Sequence, residues 1–218
     1  NLDFWTYLGG TEDGITGDRA LAVAVDTAGA VYAAGSTYAA DFPTTPGAFD
    51  PDFDQTCICA DGFVVKLSAS GSNLLWGTFL GADGEDTVEA LELDAFGHLV
   101  LAGATGSAGF PVTPDAFDVT LSGESDAFIA RLDASGSILL YATYLGGSAG
   151  ESARGIDVTL QGRILVTGWT DSADFPTTPG SFDPVHNFDK DVFVTVLVPP
   201  RAGAPVEVFL PLIQRKGE

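Results

Sequence analysis

A ten-residue motif that occurs three times is the feature that most limits what this chain can fold into. It reads DFPTTPGAFD at residues 41–50, GFPVTPDAFD at residues 109–118 and DFPTTPGSFD at residues 174–183. Other landmarks repeat in step, and the equivalent aromatic residues Phe79 and Tyr144 are 65 residues apart. A fixed period of this size indicates copies of one supersecondary unit, either stacked or arranged around an axis.

Each copy is predicted to contain four short strands. In the first copy they span residues 21–26, 31–37, 62–67 and 74–80, which are rich in Val, Leu, Phe and Tyr and are separated by glycine turns. Such runs are typical of antiparallel β-hairpins, and the frequent glycine disfavours helices. Four antiparallel strands in a period of about 65 residues match a blade of a β-propeller. We therefore predict an all-β, β-propeller-like fold with three four-stranded blades per chain.

The predicted blades cover roughly residues 11–80, 81–145 and 146–198. Residues 1–10 are predicted to be an opening fourth strand, because YLGG at residues 7–10 matches the end of the fourth strand in the later copies. Residues 199–218 begin as a Pro-rich linker and continue as a C-terminal strand or tail. Two interpretations of this last strand stay open, namely the final strand of the last blade and a separate anchoring or assembly strand.

Three blocks of the sequence resemble the bacterial SBBP-type β-propeller repeat family. They are YLGG at residues 7–10, AVDTAGAVYAAGSTYAADFPTTPGAFD at residues 24–50 and DGFVVKLSASGSNLLWGTFLG at residues 61–81. The resemblance covers about residues 4–198. It implies a propeller fold and a secreted or cell-surface location, and it implies no common enzymatic activity.

The number of blades predicts self-association. Three blades are fewer than the four to eight of an ordinary propeller, and the opening strand lacks the rest of its blade. Further blades could precede this sequence, the opening strand could complete the last blade of its own chain in a small ring, or it could complete the last blade of a neighbouring molecule. We favour the last arrangement, which gives a homo-oligomeric ring or a filament. The predicted assembly strands contain Phe4, Trp5, Tyr7, Val206, Val208 and Phe209.

The composition bounds the partners and the location. With 30 acidic and 9 basic residues, the formal net charge is −21, so that the surface repels nucleic acid. No hydrophobic run reaches the roughly 20 residues of a membrane-spanning helix. The sequence has no methionine, so residue 1 is not a translation start and a removed signal peptide or upstream region is expected. We predict an extracellular or cell-surface protein without a nucleic-acid partner or a membrane span.

Calcium and disulfide sites are the two chemical features that the sequence suggests. Asp83, Glu85 and Asp86 lie in one Asp/Gly-rich turn and offer the oxygen ligands that Ca²⁺ prefers, with a solvated acidic turn as the alternative. No other cofactor is predicted. Cys57 and Cys59 are predicted to form a disulfide within or between chains if the protein is exported, with free thiols as the alternative.

The recurring aspartates Asp61, Asp126 and Asp191, which precede the third strand of each copy, are predicted to cap turns. The two histidines, His98 and His186, fall in different copies, and no motif places a Ser or Cys nucleophile beside them. We therefore predict that the protein is not an enzyme and has no catalytic residues.

The favoured function is an extracellular structural module that assembles through its terminal strands. The alternative is a ligand-binding or adhesive surface propeller that recognises carbohydrate or protein. Such a site would use exposed residues that do not repeat between copies. The candidates are Trp5, Tyr38, Trp169 and His186.

Overall fold

Each of the three sequence copies folds into an antiparallel sheet with its strands in chain order. The computed structural model describes residues 3–11, 17–54, 58–187, 189–199 and 207–208. Sheet 1 contains β1 (Arg19–Val25), β2 (Val31–Thr37), β3 (Asp61–Leu67) and β4 (Leu74–Leu80). Sheet 2 contains β5 (Asp86–Leu93), β6 (Leu99–Thr105), β7 (Asp126–Leu132) and β8 (Leu139–Leu145). Sheet 3 contains β9 (Glu151–Val158), β10 (Ile164–Thr170), β11 (Asp191–Val198) and the two-residue β12 (Glu207–Val208).

Short hairpins with a glycine in the left-handed region join the first two strands of each sheet. In sheet 1, one carboxylate oxygen of Asp26 accepts hydrogen bonds from the amides of Ala28 and Ala30, both at 2.9 Å. Gly29 follows with a φ of 81°, which a side chain would disfavour. Asp94 and Gly97 build the same hairpin in sheet 2. The Asp-x-x-Gly spacing therefore fixes the hairpin and, through it, the strand register.

The three sheets lie in a row and share two apolar layers. Strand β5 contacts β1, β2 and β3 of sheet 1, and β9 contacts β5, β6 and β7 of sheet 2. The first layer includes the fully buried Leu101 and Phe128, and the second includes Ile129 and Ile164. Sheet 2 is thus covered on both faces, whereas sheets 1 and 3 form the two ends of the row.

The three Phe-Pro motifs run outside the sheets and insert their first phenylalanine into an apolar layer. The ring centroid of Phe42 lies 4.3 Å from that of Phe63, and Phe110 lies 4.6 Å from Phe128. Both inserted rings are buried, with 3 % of their surface exposed. Proline suits this crossing because it fixes φ and donates no hydrogen bond.

The predicted all-β fold is confirmed, since the described residues contain three antiparallel sheets and no helix. The predicted opening fourth strand, residues 1–10, stays a prediction, because its described residues pair with no strand of their own chain. Residues 3–11 form no strand, because no other described strand lies beside them to complete a hydrogen-bond ladder. Sheets 1 and 3 stay apart, and the described part of the chain closes no ring.

Candidate functional site

The opening segment, residues 3–11, packs on sheet 1 as β4 packs on sheet 2. The Phe4 ring lies directly on Gly71 in the turn between β3 and β4 and leaves no room there for a side chain. The Trp76 ring covers Gly136, in the equivalent turn of sheet 2, in the same way. Both glycines have a φ of 67°. Phe4 and Trp76 occupy the same position of the repeat, three residues before the Tyr7/Phe79 landmark.

Two hydrogen bonds repeat this correspondence. In the opening segment, the hydroxyl of Thr6 donates to the carbonyl of Tyr7 at 3.1 Å, and the amide of Gly10 donates to Asp18 at 3.1 Å. The same bonds occur in β4 and β8 and in the turns that follow them, at 2.8–3.0 Å. The hydroxyl bonds join Thr78 to Phe79 and Thr143 to Tyr144, and the amide bonds join Ala82 to Asp86 and Gly147 to Glu151. The opening segment therefore holds the local conformation of a fourth strand.

Tyr7 differs sharply from its equivalents in exposure. Its side chain is 89 % exposed, whereas Phe79 and Tyr144 are 1 % and 0 % exposed. Trp5 is also exposed and packs edge-on against Tyr7 at a centroid distance of 5.2 Å. The opening segment thus has the position of an outer strand, but the three inner strands that would cover Tyr7 are not among the described residues.

On the face of sheet 1 that points away from sheet 2, side chains of β1 are likewise more exposed than the equivalent side chains of sheet 2. Val23 pairs with Ala33 across the β1–β2 ladder as Leu91 pairs with Leu101 in sheet 2, so Val23 and Leu91 are equivalent. Leu91 is buried against sheet 1 with 7 % exposed, whereas Val23 is 68 % exposed. Val25 lies on the same face and is also exposed. The β1 part of this apolar face, which is covered at the internal junction, is therefore exposed at this end of the row, whereas Phe63 and Val65 on the same face are buried.

The other end of the row exposes the complementary face. Val194 on β11 is 55 % exposed, and its equivalents Val64 and Ile129 are fully buried against the following sheet. Val192, two residues earlier on the same face, is exposed as well. This face of sheet 3 corresponds to the surface by which sheet 1 contacts sheet 2.

Among the described strands, the outer edge of β11 is paired only at its C-terminal end. Strand β12 pairs only with Leu197 and Val198, so residues 191–196 have no partner on that edge among the described strands. Beside them lies a cavity of about 370 Å³ lined by Phe175, Phe193 and the Phe-Pro loop. The Phe175 and Phe193 rings stack with centroids 4.8 Å apart. In sheets 1 and 2 a third ring, Phe79 or Tyr144, packs on the equivalent pair.

The Phe-Pro loop of sheet 3 also lacks the partners that its equivalents have. In sheet 1, the amide of Thr45 donates to the carbonyl of Gly77 at 3.0 Å, and the amide of Phe79 donates to the carbonyl of Asp50 at 2.9 Å. Thr178 and Asp183 are the equivalent loop residues in sheet 3. The amide of Thr178 and the carbonyl of Asp183 have no such partner within the described part of the chain. The cavity and the open loop together mark the place of a fourth strand.

The predicted calcium ligands do not converge. Asp83 accepts the amide of Gly109 at 3.1 Å, while the two oxygens of Glu85 accept the Tyr38 hydroxyl at 2.7 Å and the Ala60 amide at 3.1 Å. No group of three or more His, Cys, Asp or Glu side chains that could hold a metal is found among the residues described. Calcium at Asp83, Glu85 and Asp86 stays a prediction.

Buried carboxyl groups lie instead at the junctions between sheets. Asp61 and Asp86, which come from sheets 1 and 2, are 1 % and 0 % exposed and both lie against Gly81. Burial raises the pKa of Asp61 to about 7, with the charge of Asp86 adding to the shift, and burial raises the pKa of Asp86 to about 6. Asp126 and Glu151 meet at Gly146 in the second junction, and burial raises the pKa of Asp126 to about 6.

The recurring aspartates also act as turn caps. The carboxylate of Asp61 accepts the amide of Asp54 at 3.0 Å, and Asp191 accepts the amide of Asn187 at 2.9 Å. Asp126 accepts the amides of Ser122 and Gly123. The predicted capping role is confirmed in all three sheets.

The remaining predicted site residues are placed as follows. Cys59 is disulfide-bonded, and Cys57, the only other cysteine of the sequence, lies outside the described residues. Val208 lies in β12, whereas Val206 and Phe209 are outside the described residues. Trp169 and Tyr38, which a binding surface would use, are engaged within the chain. The Lys190 ammonium lies 3.1 Å from the Trp169 ring centroid, and the Tyr38 hydroxyl bonds to Glu85.

No family model matches the sequence, and no curated protein is similar to it. The resemblance to SBBP repeats therefore stays a prediction. Among the described residues no helix has the length and apolar character needed to cross a membrane.

Proposed function

We propose that this chain is a non-enzymatic, extracellular structural module, whose three sheets are blades of a β-propeller and which self-associates head to tail through the exposed faces of its two end sheets. One observation carries the proposal. Positions that are buried where sheets 1, 2 and 3 meet are exposed at both ends of the row, as Val23 and Val194 illustrate. Exposed apolar patches of this kind mark interaction surfaces.

The two exposed ends fit each other because they are copies of surfaces that already pack together. The exposed face of sheet 3 corresponds to the face of sheet 1 that packs on sheet 2. The outer face of sheet 1, which is exposed along β1, corresponds to the face of sheet 2 that receives sheet 1. Contact between two different surfaces is heterologous, so it produces a closed ring or an open filament. Two copies would bring together six blades, within the usual range of four to eight.

The charge of the chain opposes this association. Two molecules of formal net charge −21 repel each other, and the repulsion is screened at distances beyond about 8–10 Å at physiological ionic strength. We therefore expect self-association to strengthen with salt. This behaviour suits an extracellular setting, which the resemblance to secreted repeat proteins also supports.

Sedimentation equilibrium of the full chain is the direct test. In about 0.5 M NaCl, where the Debye length is a few ångströms, we expect masses that are multiples of the 22.5 kDa chain and that rise with concentration. Val23→Glu and Val194→Glu each place a charge on one of the two exposed faces and are expected to shift the protein to the monomer. Because both positions are exposed in the single chain, neither change should affect its folding.

Val119→Glu is the matched control. Val119 is 56 % exposed in the loop that follows the Phe-Pro motif of the middle copy, away from both ends of the row. The control is expected to associate like the unaltered chain. A 22.5 kDa monomer at every concentration, or equal effects of all three substitutions, would contradict the proposal.

A further inference from the structure

We infer that the opening segment of one copy becomes the fourth strand on the open edge of β11 in a second copy, with Tyr7 opposite Phe193 and its ring in the cavity beside Phe175. The inference rests on the proposed self-association and adds to it a specific donor, acceptor and register. Head-to-tail contact between the two exposed faces does not by itself require strand exchange, so the two can fail separately.

The sequence of the opening segment matches the fourth strands at each position that the register uses. Residues 2–8 align with residues 74–80 and 139–145 without a gap. Leucine stands at the first and last of these positions, threonine at the fifth and an aromatic residue at the sixth. The matching sets are Leu2, Thr6, Tyr7, Leu8; Leu74, Thr78, Phe79, Leu80; and Leu139, Thr143, Tyr144, Leu145.

The ladders of sheets 1 and 2 define the register. Phe63 pairs with Phe79 in sheet 1, and Phe128 pairs with Tyr144 in sheet 2. Because Phe193 is the equivalent residue of β11, the same register places Tyr7 opposite Phe193 and Thr6 opposite Val194. Adding a strand in this way would satisfy the open edge of β11 by main-chain hydrogen bonds.

The cavity explains why Tyr7 is the specific anchor. Phe79 and Tyr144 lie 6.2 and 5.9 Å from the Phe-Pro phenylalanines Phe42 and Phe110. Among the described residues no third ring packs on Phe175 and Phe193, and a cavity of about 370 Å³ lies beside them. The Tyr7 ring is 89 % exposed on its own chain and is therefore free to enter this cavity.

The Phe-Pro loop provides the second half of the acceptor. In sheet 2, the amide of Thr113 donates to the carbonyl of Ala142 at 3.1 Å, and the amide of Tyr144 donates to the carbonyl of Asp118 at 3.1 Å. In the same arrangement, the amide of Thr178 would bond to the carbonyl of Trp5, and the amide of Tyr7 would bond to the carbonyl of Asp183. An incoming strand would thus lie between β11 and the loop.

The described residues of the C-terminal segment, Glu207 and Val208, compete for one position of this edge. Val208 pairs with Leu197, and the register of the other sheets places Leu2 opposite the same residue. Glu207 pairs with Val198, beyond the predicted end of the incoming strand. Among the described residues, Asp191 to Val196 have no partner on this edge. Because the C-terminal segment pairs with the same edge that the incoming strand would use, removal of residues 199–218 should leave strand exchange intact or strengthen it.

Substitutions at two neighbouring aromatic residues test the anchor. We expect Tyr7→Ala to raise the dissociation constant of the full-length chain about 30-fold, as is typical when an aromatic anchor is lost from an interface, and Tyr7→Phe to leave it nearly unchanged. Trp5→Ala is the matched control, because Gly77 and Ala142 stand at the equivalent position and no pocket is expected there. Equal losses for Trp5→Ala and Tyr7→Ala would overturn the inference.

A cysteine cross-link tests the register. Thr6→Cys on one copy and Val194→Cys on another are expected to form an intermolecular disulfide, since directly opposed residues of an antiparallel pair have Cα atoms about 5.5 Å apart. The pair Thr6→Cys and Val192→Cys is two residues out of register and should not link. Linked peptides are identified by mass spectrometry. Association without the first link, or with the second in its place, would refute this strand exchange while leaving head-to-tail association standing.

Discussion

Replacing Phe128 by alanine is expected to lower the free energy of unfolding by about 3–5 kcal/mol, which is the usual cost of removing a buried phenylalanine ring. Phe128 is 0 % exposed in the middle sheet, and its ring centroid lies 4.6 Å from that of Phe110. Sheet 2 is covered on both faces, so the surroundings can collapse little around the vacated space. Denaturant unfolding followed by tryptophan fluorescence measures the change, because Trp76 is buried in the same apolar layer.

Phe96→Ala is the control for this prediction. Phe96 is 79 % exposed in the β5–β6 hairpin, so its removal is expected to change the stability by no more than about 0.5 kcal/mol. A similar loss for both substitutions would mean that Phe128 is not the packed residue that the structure shows.

Phe193→Ala extends the comparison to the incomplete sheet. Phe193 occupies the position of Phe128, but among the described residues its ring has Phe175 as its one aromatic neighbour, and it borders the cavity. In the dissociated monomer its loss should therefore cost less than the loss of Phe128. If the Tyr7 ring of a second copy fills the cavity, the cost should increase with protein concentration, because stability is then linked to association.

The strands could be predicted because the period repeats both their residues and their turns. The predicted ranges 31–37 and 74–80 coincide with β2 and β4. The first strand begins at Arg19 instead of residue 21, because a bulge between Ala20 and Ala22 adds an unpaired residue to the ladder. A bulge of this kind leaves no clear sign in the alternation of side chains.

The ends of the chain were harder to predict, because a segment becomes a strand only when a second strand lies beside it and completes the hydrogen-bond ladder. The opening segment has the residues of a fourth strand and the local hydrogen bond from Thr6 to Tyr7, but no ladder. At the other end, residues 206–213 lack the threonine–aromatic–leucine order of β4 and β8. Of these residues the structure describes Glu207 and Val208, which pair with Val198 and Leu197 of β11. The sequence alone indicates which segment has the residues of a fourth strand, but it does not indicate which sheet edge that segment would join.

The exposed valines and the carboxyl pairs were not identified from sequence. Val23 and Val194 are ordinary strand residues, and their importance follows only from comparing the exposure of equivalent positions. Asp61 and Asp86 are 25 residues apart and meet only because sheet 1 stacks on sheet 2. A constant spacing was nevertheless present: an acidic residue follows the glycine of each Leu-Gly step by five positions in the second and third copies, as Asp86 and Glu151.

These buried carboxyl groups predict that the protein loses stability as the pH rises from about 4 to about 7. Burial raises the pKa of Asp61 in the folded chain to about 7 and the pKa values of Asp86 and Asp126 to about 6, all above the ordinary value of an aspartate, 3.8. In this window the folded chain binds more protons than the unfolded chain, so the free energy of unfolding falls with increasing pH. The carboxyl groups of Asp26, Asp94 and Asp133 have lowered pKa values and act in the opposite direction, but below the window.

Asp61→Asn isolates the largest of these contributions. The amide stays neutral at every pH, and its oxygen can still accept the hydrogen bond from the Asp54 amide that Asp61 accepts at 3.0 Å. We expect the variant to match the unaltered chain near pH 4, where the window begins, to be slightly more stable at pH 5 and to be clearly more stable at pH 8. The difference should be at most about 3–4 kcal/mol, since one pKa unit corresponds to about 1.36 kcal/mol.

Asp115→Asn controls for the loss of one negative charge from an acidic chain. Asp115 is exposed in the Phe-Pro loop of the middle copy, so its substitution lowers the general repulsion by the same charge without altering a buried group. Thermal unfolding of both variants between pH 5 and pH 8 separates the two effects. If Asp61→Asn and Asp115→Asn change the dependence of the unfolding temperature on pH equally, general repulsion is the cause. If only Asp61→Asn makes the unfolding temperature less dependent on pH, the cause is the burial of Asp61 beside Asp86 at the junction of the first two sheets.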